Sequence, residues 1–251
     1  MACQYRLPRM KKCRLTRMFQ IDHAMKSAYF VTGTDTGAGK TLASCALLRA
    51  FAARGLRAVG MKPVAAGCEA PAGGGMVCDD VERLRAAGNV EAPGEWVNPY
   101  AFLSPVAPHL AAAQSGVEID LDTLAAAFSR LGALADAVIV EGVGGWRVPL
   151  NAREDTATLA QRLGLPVILV VGVRLGCLNH ALLTAQSVAA CGLPLAGWIA
   201  NRIDPTMPLF DENVQALRER LPAPLLGVLP YQGDADAARM AEHLSLERLN
   251  P

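Results

Sequence analysis

The stretch Gly33-Thr34-Asp35-Thr36-Gly37-Ala38-Gly39-Lys40-Thr41 decides the fold. The apolar residues 28–32 before it read as a strand, and residues 40–54 after it read as a helix stopped by Gly55. Strand, Gly-rich turn, Gly-Lys-Thr and helix in this order are the context of a phosphate-binding loop. Glycines let the backbone curl until its N–H groups point inward at phosphate oxygens, and the helix start adds a partial positive charge. Lys40 would reach the β- and γ-phosphates, and Thr41 would offer its hydroxyl to Mg2+. The usual motif has its first glycine five residues before the Gly of Gly-Lys-Thr, which is Thr34 here. Gly33 stands six before, so this loop is one residue longer. The competing reading is a plain strand–turn–helix connection that uses glycines for geometry alone.

Outward from the loop, short apolar runs alternate with Ala/Leu-rich stretches of helical period. Strands are expected at 57–61, 137–140, 166–171, 195–200 and 225–229. Helices are expected at 80–87, 105–114, 121–134, 179–190 and 211–220, with a loop-rich stretch at 65–77. The unbroken Val/Ile/Leu run at 166–171 marks a central parallel strand covered on both faces. Such alternation argues for βαβ units with right-handed crossovers, hence an α/β fold with a parallel sheet between helical layers, in one domain over 28–251.

The chain has 251 residues, 52% hydrophobic and 19% charged, which excludes a disordered or fibrous protein. Its formal charge of +1 averages two unlike pieces. Residues 1–27 carry seven basic side chains and one acid, Asp22, whereas 28–251 carry 17 basic and 22 acidic. Three readings compete for the basic head: a start at Met25, a disordered tail, or a transit peptide. The longest apolar run, 163–173, is about half the ~20 residues that cross a bilayer, and Arg174 ends it. Seven cysteines, an odd number without a C-x-x-C pair, read as reduced thiols of a cytoplasmic protein.

Nucleotide chemistry needs an acid to hold Mg2+ and cations to balance phosphate. Glu141 leaves the strand Ala137-Val138-Ile139-Val140 into Gly142-Val143-Gly144-Gly145, a position suited to a metal ligand at the carboxyl edge of the sheet. A solvated acid at a strand end is the alternative. Lys62, closing the second strand before Pro63, would neutralise charge on a transferred phosphoryl group, or would merely be solvated. Asp80 is a second metal contact or a helix N-cap. Cys177 and Asn179, read alone, are a small buried residue and a helix cap, and His109 and His180 are structural histidines.

The extended loop Gly-Thr-Asp-Thr-x-x-Gly-Lys-Thr, Lys62-Pro63-Val64-Ala65, Val97-Asn98-Pro99-Tyr100-Ala101-Phe102 and Pro108-His109 together resemble the dethiobiotin synthetase family. So do Val140-Glu141-Gly142-x-Gly144-Gly145-Trp146, the run from Pro166 through Gly176-Cys177-Leu178-Asn179 to Ala181, Gly197-Trp198-Ile199-Ala200-Asn201, and Pro224-Leu225-Leu226-Gly227-x-Leu229-Pro230. The resemblance runs in order from about Tyr29 to Tyr231. It implies ATP- and Mg2+-dependent joining of CO2 to 7,8-diaminononanoate and closure of a cyclic urea, through a carbamate and a carbamic–phosphoric anhydride. Lys62 would be catalytic, assisted by Lys40 and Thr36, and Thr41, Asp80 and Glu141 would hold Mg2+. ATP would lie against Gly37, Ala38, Gly39, Lys40, Thr41 and Leu42, with Asp80 and Glu141-Gly142-Val143-Gly144 beside its phosphates. Asn201, Arg202, Pro230, Tyr231 and Gln232 would surround adenine. The substrate would meet Ala66 and, from a neighbouring subunit, Gly176, Cys177, Leu178 and Asn179, which implies a homodimer with a shared site.

Two positions depart from the family pattern: Gly37 stands where many members carry an acid, and Ala66 where some carry a serine. A rival reading is a P-loop switch ATPase of the partitioning or site-placement type. Those proteins carry an extra lysine early in the loop, whereas residues 33–38 contain none. Nor does the body carry a basic patch or amphipathic anchor for nucleic acid or membrane. An amide-forming cobyrinate-type synthetase would need a long glutaminase domain, for which about 20 residues after Tyr231 are too few. An inactive relative kept as a binding module is opposed by Lys40, Thr41, Lys62, Asp80 and Glu141 together.

Overall fold

The computed structural model describes Met25 and residues 27–71, 74–231 and 236–249. The basic head up to residue 24, Lys26 and Gln232 lie outside the described residues. In chain order the elements are β1 (Ser27–Gly33), α1 (Lys40–Ala53), β2 (Ala58–Met61), β3 (Val64–Ala66), α2 (Asp79–Ala87) and α3 (Gly94–Val97). Then come β4 (Tyr100–Phe102), α4 (Pro108–Gln114), α5 (Leu121–Leu134), β5 (Ala137–Glu141), α6 (Thr156–Leu163) and β6 (Val167–Gly172). The chain continues with α7 (Cys177–Ala190), β7 (Leu195–Asn201), α8 (Phe210–Arg220), β8 (Leu225–Leu229) and α9 (Ala237–Ala241).

Among the described residues, six strands form one parallel sheet in the order β2-β5-β1-β6-β7-β8. Every residue of β6 is buried, as its unbroken apolar run requires of a strand covered on both faces. Alternation along β1 sends Tyr29 and Val31 to the face packed by α1, α2 and α9, and Phe30 to the opposite face with α5 and α6. Leu169 and Val171 of β6, with Trp198 and Ala200 of β7, pack beneath α7 and α8 on that opposite face. Two sequence signals mark helix limits well. Asp120 caps α5 by accepting from the amides of Asp122 and Thr123, and Gly164 ends α6 in the left-handed conformation. Among the described residues no helix is long and apolar enough to cross a membrane.

Besides the short helices α3 and α9, and a helix expected from 105 that begins at Pro108, three features depart from the sequence expectations. The stretch 65–77 is not wholly loop: β3 pairs in parallel with β4, and this two-stranded sheet carries Ala66 to the rim of the main sheet. Strands of three residues are too short for a periodic signal. Helix α6 was not anticipated, because its polar residues at 156, 158, 161 and 162 mask a buried stripe of Ala157, Leu159 and Ala160. The expectation that all cysteines are reduced is corrected by a disulfide between Cys68 and Cys78, whose Cα atoms stand 4.4 Å apart. Glu69 and Val77 exchange backbone hydrogen bonds of 2.8 and 2.9 Å, and this antiparallel neck holds the flanking cysteines within bonding reach.

Candidate active site

Strand order and register assemble the site. Met61 of β2 is paired with Val140 of β5, so the next residues, Lys62 and Glu141, leave the carboxyl edge side by side. Val31 of β1 is paired with Glu141, and the loop that follows β1 rises next to both. Ligands of open α/β sheets collect at this edge, where a crevice opens between connections running to opposite sides.

The loop's glycines have identifiable tasks. Gly39, at φ 90°, precedes the first residue of α1 in a left-handed conformation, and a Cβ there would lie 1.9 Å from the Asn201 Nδ2. The start of α1 has no side-chain cap among the described residues, which leaves its N–H groups for an anion. Lys40 is buried, and its Nζ donates to the Asp35 carbonyl at 3.3 Å. Burial, followed by the charge of Lys62, pushes the Lys40 amine below the ordinary lysine value, against the pull of Glu141, Asp80 and Asp35.

Lys62 Nζ donates to Glu141 Oε1 at 2.6 Å, to Asp80 Oδ2 at 2.8 Å and toward the Gly142 carbonyl at 3.5 Å. Its backbone is pinned as well: its N–H donates to Val97 O, and its carbonyl accepts from Asn98 Nδ2. Burial opposes the Lys62 charge, but Glu141 and Asp80 outweigh it and hold the amine above the ordinary lysine value. For Asp80, burial acts upward, yet Lys62 and the Thr41 hydroxyl prevail and keep the carboxyl below the usual carboxylate range. Asp80 does not cap its helix. It is the second residue of α2, the N-cap being Cys78, and one face of the first turn aims it at the loop.

The Thr41 hydroxyl lies 2.8 Å from Asp80 Oδ1 and 2.9 Å from Glu141 Oε1. One hydroxyl proton serves only one of these acceptors, and Glu141 Oε2 is buried with no hydrogen-bond partner among the described residues. Three hard oxygen donors with an orphaned carboxylate oxygen fit Mg2+, which typically takes one or two carboxylates and completes its shell with phosphate oxygens and water. Among the described residues no group of three or more His, Cys, Asp or Glu gathers, so an all-protein metal cage is absent there.

These groups open on a cavity of about 760 Å3. Thr36, Gly37, Gly39, Lys40, Thr41, Leu42, Lys62, Ala66, Asp80, Glu141, Val143 and Gly144, all expected from the sequence, line it. The sequence reading missed Arg83, residues 105–108, Gly145 and Val148, which also line it. Arg83 follows Asp80 by three positions on a helix, a spacing that would have revealed it. Pro105, Val106, Pro108, Val143 and Val148 give the cavity an apolar wall.

Other expected residues stand outside this lining. Asn201 is buried behind the loop, its Nδ2 donating to the Ala38 carbonyl at 3.0 Å. The Arg202 guanidinium lies 4.4 Å over the Phe210 ring, and its Nε is buried without a partner among the described residues. Pro230 follows β8, and Tyr231 beside it is exposed. The turn before α7 is also separate from the cavity. Gly176, at φ 92°, is the N-cap of α7, which corrects the reading of Asn179 as the cap: Asn179 is the third residue of the helix, while Cys177 is buried as expected. Leu175 is 96% exposed, and Arg174 forms an ion pair with Asp35 of the phosphate loop.

A family model described as an AAA domain matches residues 27–239. The ATP-dependent dethiobiotin synthetase BioD of Nitrosospira multiformis is 57% identical over 225 residues, covering 90% of this chain and 97% of that one. The enzyme of the same name from Aromatoleum aromaticum is 58% identical over 219 residues, covering 87% and 97%. That of Xanthomonas oryzae pv. oryzae is 53% identical over 221 residues, covering 88% and 98%. Among solved structures, the MinD cell division protein of Aquifex aeolicus aligns with a TM-score of 0.52 at 13% identity, covering 88% of each chain. A ParA family ATPase from Chlorobium tepidum aligns with a TM-score of 0.52 at 14% identity, covering 90% of this chain and 92% of its own. At these identities the two structures speak for the P-loop fold alone.

Proposed function

This chain belongs to the ATP-dependent dethiobiotin synthetase family, and from that premise we propose that its cavity carboxylates 7,8-diaminononanoate and closes the product into a cyclic urea. The chain is an ATP-dependent ligase of biotin biosynthesis, and the proposal concerns how its residues perform the reaction. An amine of the substrate adds to CO2 and loses a proton, giving a carbamate. A carbamate oxygen attacks the γ-phosphorus of ATP, and ADP leaves. The second amine attacks the carbonyl carbon of the resulting anhydride, the C–O bond breaks, inorganic phosphate departs, and the urea ring closes.

The observation that carries this reading is the convergence of Lys62, Asp80, Glu141 and Thr41 within hydrogen-bonding distance beside a phosphate loop. Lys62 is a cation held charged in a buried place, suited to both the carbamate and the phosphoryl oxygens on which charge develops. Lys40 and the α1 amides would bind the β- and γ-phosphates, with Thr36 at the cavity wall beside them. Thr41, Asp80 and Glu141 would hold Mg2+, which when bound offsets phosphate charge. Asn201, whose Nδ2 donates one of its two N–H groups to the Ala38 carbonyl, would accept from adenine through its side-chain oxygen, with Arg202, Pro230 and Tyr231 following the paired positions Asn201 and Leu229. The wall of Val106, Val143 and Val148 suits a methylene chain.

We further propose a homodimer in which the turn 176–179 binds the substrate carboxylate in the neighbouring subunit's cavity. Supporting this are the uncapped start of α7, the exposure of Leu175, and the position of the turn outside its own cavity. The test is phosphate release and dethiobiotin formation with purified protein, read by mass spectrometry. Both are expected to require ATP, Mg2+, bicarbonate and diamine together. Hydrolysis without diamine, stimulated instead by DNA or lipid, would overturn the assignment.

A further inference from the structure

The cations lining the cavity, among the described residues, are Lys40, Lys62 and Arg83. The first two already have assigned partners: Lys62 is held by two carboxylates, and Lys40 by the Asp35 carbonyl. Arg83 has no role in any motif read from the sequence. It stands on α2 one turn beyond Asp80, so both residues share the helix face turned toward α1. Its one ion-pair partner among the described residues is Asp79, at 3.8 Å, with the two side chains 43% and 84% exposed. A pair that long and that wet holds neither side chain firmly. Arg83 is therefore a free-ended guanidinium at the mouth of the cavity.

Its position relative to α1 narrows what it meets. Asp80 accepts from Thr41, at the first turn of α1, and Arg83 follows Asp80 by one turn. Cys45 lies one turn beyond Thr41 on α1. Burial pushes the Cys45 thiol up to about 12, with Glu141 adding to the rise and Arg83 the first of the groups opposing it. Arg83 lines the same cavity as Thr41 and Leu42 at the start of α1, where the phosphates of a loop-bound nucleotide lie. A planar guanidinium in such a place matches a pair of non-bridging phosphate oxygens better than a lysine would.

We propose that Arg83 is a further phosphate-binding residue of the nucleotide site, its guanidinium donating to non-bridging oxygens of bound ATP. This rests on the reading of the cavity as the ATP site. The alternative anion, the substrate carboxylate, belongs at the end of an aliphatic chain that would follow the apolar wall of Val106, Val143 and Val148. A phosphate ligand is required to act on nucleotides according to their phosphates, and a group that merely supports the fold is not.

The experiment measures binding of ATP, ADP and adenosine, by competition with a fluorescent ATP analogue in the presence of Mg2+, for the intact chain and for Arg83→Ala and Arg83→Lys. Arg220→Ala, on the far helix α8, is the control. Arg83→Ala is expected to weaken ATP and ADP by about tenfold, the loss of one charge-assisted hydrogen-bonded contact, while adenosine stays within about twofold. Arg83→Lys should recover part of the loss, and the KM for the diamine should not move. ATP and ADP affinities unchanged in Arg83→Ala, an equal loss for adenosine, or a shift confined to the diamine KM would each overturn the proposal. Failure of the unmutated chain to bind ATP would instead remove the underlying reading, and the proposal with it.

Discussion

Replacing Lys62 with methionine keeps an unbranched side chain one atom shorter and removes its charge. The cost follows from what remains. Glu141 is 0% exposed, Lys62 is its nearest cation at 2.6 Å, and its second oxygen already lacks a partner among the described residues. Without Lys62 its remaining side-chain donor there is the Thr41 hydroxyl, which Asp80 also claims. Removing one member of a buried ion pair typically costs about 3–5 kcal/mol, because the other charge stays desolvated. For a domain of this size that is a fall in Tm of roughly 10 °C. Asp80 contributes less to the penalty, since its carboxylate is 43% exposed and water can replace the lysine. The assay is urea unfolding at pH 7 followed by tryptophan fluorescence, for which buried Trp146 and Trp198 are natural reporters. Lys62→Met should be strongly destabilised, and adding Glu141→Gln should restore more than half of the loss, because the orphaned charge is gone. Turnover should be absent in both. A loss below about 1 kcal/mol, the scale of an exposed pair, would refute the reasoning. So would a double variant whose loss equals the sum of the singles.

Gly39→Ala places a methyl 1.9 Å from Asn201 Nδ2 at φ 90°, whereas Gly37, at φ 82°, has no described atom within 4 Å of a built Cβ. ATP affinity should collapse in Gly39→Ala and fall only modestly in Gly37→Ala, where left-handed strain of roughly 1 kcal/mol is the whole cost; equal effects would contradict this. The Cys68–Cys78 disulfide spans a sequence separation of 10, for which loop-closure entropy gives about 2–3 kcal/mol. A dithiol reductant should lower Tm measurably in the parent chain and leave a Cys68→Ser, Cys78→Ser variant unmoved. Asp80 is held below the usual carboxylate range in the folded chain, so its stabilisation is complete above its unfolded value of about 3.9 and drains as pH falls through the lower folded value. The urea midpoint should therefore drop below about pH 4, more gently in Asp80→Asn; an identical acid limb in both would count against the ion pair.

What was legible in the residues is what neighbouring residues can encode. The phosphate loop announces itself because glycines, lysine and threonine within nine consecutive positions must serve one anion, and the strand and helix at its ends are local patterns. The run beginning at Val167 identifies a strand covered on both faces before any partner is known. The same locality explains the failures. Three-residue β3 and β4 exist only because they pair with each other, α6 is held by the stripe it buries, and Cys68 meets Cys78 only because Glu69 and Val77 pair between them.

The class of fold, the nucleotide loop and, through the family resemblance, the chemistry to look for all lie in short stretches of residues. Tertiary structure alone decided how the chemistry is assembled. Lys62 and Glu141 are 79 residues apart, and they touch because β5 lies between β2 and β1 with Met61 in register with Val140. Arg83 reaches the cavity because α2 packs against α1. Strand order and helix packing are set by burial summed over the whole core, and no short window of sequence contains that sum.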